Sequence, residues 1–134
     1  MARDRERDAL EIDIFCYLLP DGWKILAGKT AADNEQLSCR IVRPNDWWFH
    51  VRGMPGSHVI LQGPEGENPS KKLLQIAAAT AAWHSKARQG GIVPVSGTQG
   101  KFIGKPRGAK EGTVSIRKET IFKVRPQIPP EANL

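Results

Sequence analysis

The sequence predicts an α+β fold: a mixed, mainly antiparallel sheet packed against one long helix (about 69–89) in a single domain. Short runs with a hydrophobic period of two recur along the chain, which is typical of half-buried strands. One Ala-rich stretch is apolar along a single broad stripe, which is typical of an amphipathic helix. The 134 residues are 40% hydrophobic and 25% charged, ordinary values for one globular domain with its own core.

The N-terminal part of the chain predicts a tail followed by a hairpin. Residues 1–10 alternate in charge sign and offer no apolar face, so they are predicted to form a flexible N-terminal tail. Residues 12–18 alternate with a period of two and predict a strand, and residues 23–28 predict a second strand paired with it. Residues 31–37 predict a short helix or turn, and residues 37–42 another short extended piece.

Residues 46–62 predict a central hairpin, because two β-branched and aromatic runs flank a Gly-Met-Pro-Gly turn. Successive side chains of a strand face opposite sides. On the first run one face carries Trp48, His50 and Arg52, and the other carries Trp47, Phe49 and Val51. His58 lies on the second run, close to the same turn. The hairpin is therefore predicted to have one core face and one face equipped as a site.

The long helix has sequence signals at both ends. Asn68 is a favourable N-cap, and Pro69 suits the first helical position because its missing N–H costs nothing there. Gly90 and Gly91 are typical of the residues that terminate a helix. Its apolar stripe is mostly alanine, and small side chains permit close docking on a sheet.

The last third of the chain predicts short strands around a basic loop. The strands are residues 92–95, 101–103, 113–116 and 120–124. Between the second and third lie residues 104–112, which we call the basic loop. They include three cations, three glycines and one proline, a composition that predicts an exposed loop able to bring hydrogen-bond donors against phosphates. The domain is predicted to span residues 11–126, followed by a flexible C-terminal tail, residues 127–134.

Positive charge is concentrated in the second half of the chain. Residues 1–70 carry 8 Lys/Arg against 11 Asp/Glu, whereas residues 71–134 carry 12 against 3. This asymmetry favours an anionic partner, most commonly nucleic acid, and a basic surface kept for solubility is the alternative.

No apolar run is long enough to span a bilayer and no signal-peptide core is present, so a cytoplasmic protein is expected.

Three classes of site are not predicted. Gly28-Lys29-Thr30 lacks the glycine four residues earlier that a phosphate-binding P-loop requires. His50, His58 and His84 have no carboxylate or thiolate partner nearby in sequence, so no metal site and no cofactor are expected. Cys16 and Cys39 have no paired spacing, and buried reduced thiols are expected.

Four collinear blocks resemble the NFACT-R domain, the RNA-binding module of NFACT proteins, which act on obstructed large ribosomal subunits. The blocks read Trp-Trp-Phe-His-Val-Arg-Gly-Met-Pro-Gly-Ser-His-Val (47–59), Ala-Trp-His-Ser-Lys-Ala-Arg (82–88), Val-Pro-Val (93–95) and Lys-Pro-Arg-Gly-Ala-Lys-Glu-Gly-Thr-Val (105–114). The likeness covers about residues 23–126. The chain departs from the family pattern at residues 28–35, so the resemblance implies no ligand contact from that segment.

The resemblance implies an RNA-binding role, with transfer RNA or ribosomal RNA as the partner and a link to the ribosome. The implied contact residues are those in the matching blocks: His50, Arg52, His58, Lys86, Arg88, Lys105, Arg107 and Lys110. Trp48 is added as a platform on which a base could stack, with covering of the sheet as its alternative role. The histidines could instead brace the turn, and the loop cations could simply be solvated.

Three functions are therefore in competition. The leading one is a non-catalytic module for structured RNA, connected with translation or ribosome quality control. The second is an RNA-cleaving enzyme with His50 and His58 as an acid–base pair. The third is a protein-interaction adaptor that docks through its Trp-rich face.

Overall fold

Eight strands and two α-helices are present in residues 13–130, the part of the chain that the computed structural model describes. The strands are β1 (Ile14–Leu18), β2 (Lys24–Gly28), β3 (Trp47–Val51), β4 (Val59–Gln62), β5 (Val93–Gln99), β6 (Ile103–Gly104), β7 (Ser115–Ile116) and β8 (Thr120–Val124). The helices are α1 (Ala31–Gln36), which continues into a π-helical turn (Leu37–Ile41), and α2 (Lys71–Trp83). The predicted tail at residues 1–10 lies outside the described residues.

The predicted α+β class is confirmed, and the sheet is antiparallel throughout. Six strands pair in the order β1-β2-β4-β3-β5-β8, and β6 and β7 form a separate two-stranded ribbon. The predicted central hairpin is also confirmed, with Trp48 opposite Ile60 and Phe49 opposite Val59. β3 and β4 lie in the middle of the sheet, so both faces of this hairpin must be covered by other elements.

Helix α2 covers one face of the sheet. Its four inward alanines are fully buried, at Ala77, Ala78, Ala81 and Ala82. Side chains this small let the helix backbone approach the sheet closely, where it packs on Phe49 and on other apolar residues of β2 to β5. The predicted role of the alanine stripe is therefore confirmed.

The opposite face of the sheet carries a second core rather than an open polar site. Trp48 and Ile60 point into this core, and Leu37 covers them from the π-helical turn. Residues 37–42 were predicted as extended and this is wrong, because the Val42 N–H donates to the Leu37 carbonyl oxygen and continues the helical path. Leu37 and Ile41 lie four residues apart, so a helical turn presents both to the sheet.

Helix α2 is shorter than predicted at both ends. Ser70, rather than Asn68, caps the helix, since its hydroxyl oxygen accepts from the Leu73 N–H at 3.1 Å. The helix ends at Trp83 because the His84 carbonyl oxygen accepts from the Ser57 N–H at 2.9 Å, which draws the chain toward the turn of the central hairpin.

Two further expectations differ from the structure. The start of the predicted C-terminal tail is packed, because the Gln127 N–H donates to the Ala79 carbonyl oxygen and Pro129 is buried. Cys16 and Cys39 are free but exposed rather than buried. Neither described helix has the length and hydrophobicity that crossing a bilayer requires.

Candidate functional site

A groove of about 670 Å³ opens where the C-terminal end of α2 meets the ends of β1 and β2 and the turn of the central hairpin. We call it the helix-end groove. Three cations line it, and none of the described lining residues is acidic. The lining residues are Phe15, Gly28, Lys29, Thr30, Ala31, Asn34, Pro55, Gly56, Ser57, His84, Ser85, Lys86 and Arg88.

Backbone contacts fix the shape of the helix-end groove. Gly56 forms a β-bridge with Ser85, and a Cβ at position 56 would lie 2.9 Å from the Ser85 Cβ, so the close approach requires glycine. The Ser57 hydroxyl donates to the Gly28 carbonyl oxygen. Three distant chain segments are therefore tied together around the groove.

An aromatic pair forms one wall. The His84 ring stacks on the Phe15 ring with centroids 4.4 Å apart, and the His84 Nε2 lies 2.7 Å from the Tyr17 hydroxyl oxygen. Burial, assisted by the charge of Arg88, lowers the pKa of His84 to about 4, and burial raises the pKa of Tyr17. His84 is therefore neutral at pH 7 and acts as a planar wall rather than a cation.

Arg88 is exposed but held in one geometry. Its Nε donates to the Trp83 carbonyl oxygen at 2.7 Å, and its guanidinium carbon lies 4.5 Å from the centroid of the Trp83 ring. The terminal guanidinium nitrogens remain directed to solvent, so an anion meets a pre-ordered donor. Lys86 is exposed beside it and forms no ion pair within residues 13–130.

Lys29 is a groove residue that sequence reasoning missed. Its ammonium forms an ion pair with Asp13 at 3.0 Å and lies 4.6 Å from the centroid of the Phe15 ring. The segment departs from the family pattern, so the resemblance gave no reason to select it. The available signal was the Thr30-x-x-Asp33 capping box, which begins a helix at that point and leaves Lys29 at the open end of β2.

Trp48 and His58 lie inside the second core. They are 4% and 5% exposed, and the Ser38 hydroxyl joins them by accepting from the Trp48 Nε1 at 2.9 Å and by lying 2.6 Å from the His58 Nδ1. Burial, assisted by nearby His50, lowers the pKa of His58 to about 4. Rings so enclosed have no face left for a base, which corrects their predicted role as RNA contacts.

His50 lies beside this buried network. Its ring centroid is 5.4 Å from that of His58, at an angle of 85°, and the side chain is half-buried. Burial lowers the pKa of His50, and hydrogen bonds with the backbone of Gly56 and Val51 oppose this effect. These contacts favour the alternative in which His50 stabilises the turn.

The basic loop is connected to α1 by hydrogen bonds of Lys105. The Lys105 ammonium lies 2.7 Å from the Glu35 Oε1, 2.7 Å from the Lys110 carbonyl oxygen and 2.9 Å from the Thr113 carbonyl oxygen. The Gly112 N–H also donates to Glu35, at 2.7 Å. All three ammonium hydrogens therefore have acceptors within the protein, so Lys105 stabilises the loop and is not free to reach a phosphate.

The other predicted cations divide by position. Arg107 and Lys110 are exposed on the basic loop, whose Gly112 lies against Ala31, a lining residue of the helix-end groove. Arg52 is exposed at the end of β3, where its Nε lies 3.8 Å from Glu119, and it does not line the groove. The structure thus brings Lys86 and Arg88 together in the helix-end groove, and the basic loop meets this groove at Ala31.

Residues 14–118 match the family described as the NFACT protein RNA binding domain. The chain belongs to the NFACT-R family. The Rqc2 homolog RqcH of Bacillus subtilis (strain 168) is 37% identical to this NFACT-R chain over 107 residues, 79% of the chain and 18% of RqcH. The corresponding RqcH of Streptococcus suis (strain 05ZYH33) is 36% identical over 111 residues, 82% of the chain and 20% of that protein.

Two other relatives extend the comparison. The ribosome quality control complex subunit NEMF homolog of Drosophila melanogaster is 30% identical over 77 residues, 54% of the chain and 8% of that protein. The solved C-terminal part of the fibronectin/fibrinogen-binding protein from Streptococcus suis superposes with a TM-score of 0.76 at 35% identity, covering 84% of this chain and 45% of that one. The NFACT-R chain thus spans about a fifth of the length of the RqcH relatives.

Proposed function

We propose that this NFACT-R chain is a non-catalytic RNA-binding module that holds structured RNA, a transfer or ribosomal RNA, in its helix-end groove. The observation that carries the proposal is the convergence of Lys86 and Arg88, which form no ion pair within residues 13–130, on a groove whose described lining contains no acidic residue. Lys29, which is ion-paired with the exposed Asp13, is the third cation of the lining. Phosphate groups supply the complementary charge, and their contacts with Lys and Arg provide most of the affinity for nucleic acid.

The groove also offers a group suited to a base. The exposed Arg88 guanidinium lies 4.5 Å from the centroid of the Trp83 ring, and a base can stack on its other side. The hydroxyl groups of Thr30 and Ser85 already donate to Asp33 and to the Ala82 carbonyl oxygen, so they have no hydrogen left for a phosphate. Arg107 and Lys110 extend the cationic surface along the adjoining loop. RNA longer than the groove would therefore follow the basic loop.

A non-catalytic role is supported by the histidines. An acid–base pair needs side chains that reach the substrate and titrate near the working pH. His58 is 5% exposed and has a pKa of about 4, so it meets neither condition. The Trp-rich face gives little support to an adaptor, because Trp48 is buried and Trp47 packs against the α2-side core.

The names of the relatives support a role in ribosome quality control. RqcH is called an Rqc2 homolog and the fly protein a ribosome quality control complex subunit. We place the chain's RNA partner at the ribosome in the cytoplasm, as the RNA-holding part of a quality-control or translation factor.

The test is a titration of transfer RNA and of ribosomal RNA fragments across a range of salt concentrations. The wild-type chain binds with an affinity that falls steeply as salt rises, and Lys29→Gln/Lys86→Gln/Arg88→Gln lowers the slope of log K against log salt by about two to three. The control variant Arg40→Gln/Lys101→Gln/Arg117→Gln removes the same charge from exposed positions outside the groove. Equal effects of the two variants, or binding that ignores salt, would refute the proposal.

A further inference from the structure

A second groove, of about 310 Å³, runs along the flank of α2 that faces β8. We call it the helix-flank groove. Its α2 wall is built from residues spaced by one helical turn, including Lys72 and Ile76, and its other wall comes from the end of β8 and the segment after it. The hydrogen bond from the Gln127 N–H to the Ala79 carbonyl oxygen holds that segment against the helix.

Three cations from three chain segments meet in the helix-flank groove. Lys72 comes from α2, Lys123 from β8 and Arg125 from the segment after β8, and all three are exposed. None of the lining residues in the described part of the chain is acidic, and none of the three cations forms an ion pair within residues 13–130. Lys105 is held by Glu35, whereas these three have no described carboxylate partner and are available to an external anion.

The two grooves lie against the same helix. Helix α2 contains no acidic residue along its length. Eleven residues separate Lys72 from Trp83, which at 1.5 Å per residue is about 16 Å along the axis. A single RNA strand that crosses the outside of α2 would therefore meet cations at both ends of its path and no repulsive carboxylate between them.

We propose that the helix-flank groove is a second RNA-backbone site, so that one RNA contacts both grooves across α2. This inference rests on the proposed function of the helix-end groove. Aliphatic walls from Ile76 and from Ile128, which is 36% exposed, suit the apolar faces of riboses, while the three cations hold phosphates. The site contacts backbone rather than bases, because no aromatic ring is present among its described lining residues.

The experiment compares two RNA lengths. A stacked four-nucleotide RNA is about 10 Å long at roughly 3.4 Å per nucleotide, which is too short to reach both grooves. The probes are tetraadenylate, whose bases stack, and transfer RNA, and the variant is Lys72→Gln/Lys123→Gln/Arg125→Gln. The variant binds transfer RNA with a salt slope lowered by about two to three, and it still binds tetraadenylate through the helix-end groove.

The controls separate the possible outcomes. Arg40→Gln/Lys101→Gln/Arg117→Gln loses the same charge away from both grooves, and thermal unfolding checks that each variant is folded. Unchanged transfer-RNA binding by the Lys72/Lys123/Arg125 variant overturns this inference and leaves the proposed function intact, whereas failure of the wild type to bind any RNA removes both. If the Lys72/Lys123/Arg125 variant kept its RNA binding but lost binding of poly-glutamate, the groove would be a site for an acidic protein segment, and the inference would likewise be overturned.

Discussion

Arg88 is the side chain on which we expect the proposed RNA affinity to depend most, because its guanidinium is ordered before any ligand arrives. Replacing it with alanine removes a charged hydrogen-bond donor, which costs about 1.5–3 kcal/mol, or roughly ten- to a hundredfold in affinity. Arg88→Lys keeps the charge but loses the planar contact with Trp83, so it recovers only part of the affinity. Fluorescence anisotropy with labelled transfer RNA measures both.

Arg40 provides the control for Arg88, since it is exposed at the π-helical turn and does not line either groove. Arg40→Ala leaves the affinity within about twofold of the wild type. Full recovery of affinity by Arg88→Lys would show that only net charge matters at this position and that the stacked geometry is irrelevant.

His58 makes the stability of the protein depend on pH. Its pKa is about 4 in the folded chain, against 6.5 when unperturbed, so the unfolded chain binds more protons between these values. The free energy of unfolding is therefore highest above pH 6.5 and falls as the pH drops toward 4, by on the order of 3 kcal/mol from this residue. His58→Asn removes that part of the slope in urea unfolding measured from pH 7.5 to pH 4.5.

An NMR titration of the His58 ring tests the same point without a substitution. The ring resonance moves with a midpoint near pH 4 if the imidazole is enclosed by Ser38 and Trp48. A midpoint near 6.5 would mean that the ring reaches solvent and that the buried network does not form.

At the scale of elements, Glu35 and Lys105 join α1 to the basic loop. Hydrogen bonds from Lys105 and from the Gly112 N–H lower the pKa of Glu35. The connection between α1 and the basic loop is therefore complete above pH 4.5, and it is lost as acid protonates the Glu35 carboxylate. Glu35→Gln and Lys105→Met both release the loop. Hydrogen exchange at the Gly112 amide becomes faster in each variant, because its acceptor is weakened or displaced.

Arg107→Gln is the matched control within the same loop. Arg107 is exposed, so this variant leaves Gly112 exchange unchanged while it lowers the salt slope of RNA binding by about one. If Lys105→Met lowered the salt slope in the same way without changing Gly112 exchange, Lys105 would be an RNA contact and not a residue that holds the loop against α1.

The limits of α2 show why element ends are hard to predict from the sequence. Both Asn68 and Ser70 can cap a helix, and only the chain's path decides that Ser70 does. The C-terminal end is set by a bond from the distant Ser57 N–H to the His84 carbonyl oxygen. No local signal near position 84 contains that information.

At the scale of the molecule, the period-two alternation predicted the sheet and its central hairpin. It did not predict that the second face of the sheet is covered by a second core. Trp48, His50 and His58 are polar or amphipathic, so their shared face resembled a site. The π-helical turn at Leu37–Ile41 covers that face, and its contribution depends on long-range packing against Ile60. The cations of the proposed RNA site lie instead where separate elements meet, at the helix-end groove.

The helix-end groove could be predicted only in part. The matching block at residues 82–88 identified Lys86 and Arg88, since both are carried by a local motif. Lys29 and Phe15 join them through the pairing of β1 with β2 and through the bridge between Gly56 and Ser85, contacts that span many residues. Charge asymmetry predicted an anionic partner, but the fold decides which of the cations face it.

The position of RNA on the protein can be observed directly from backbone amide shifts in a ¹⁵N spectrum titrated with transfer RNA. The largest shifts are expected at Ser57 and at residues 85–88, around the helix-end groove, with little change in the loop at residues 63–67, at the opposite end of β4. Shifts concentrated at residues 63–67, with the amides at residues 85–88 unmoved, would contradict the assignment of the helix-end groove as the RNA site.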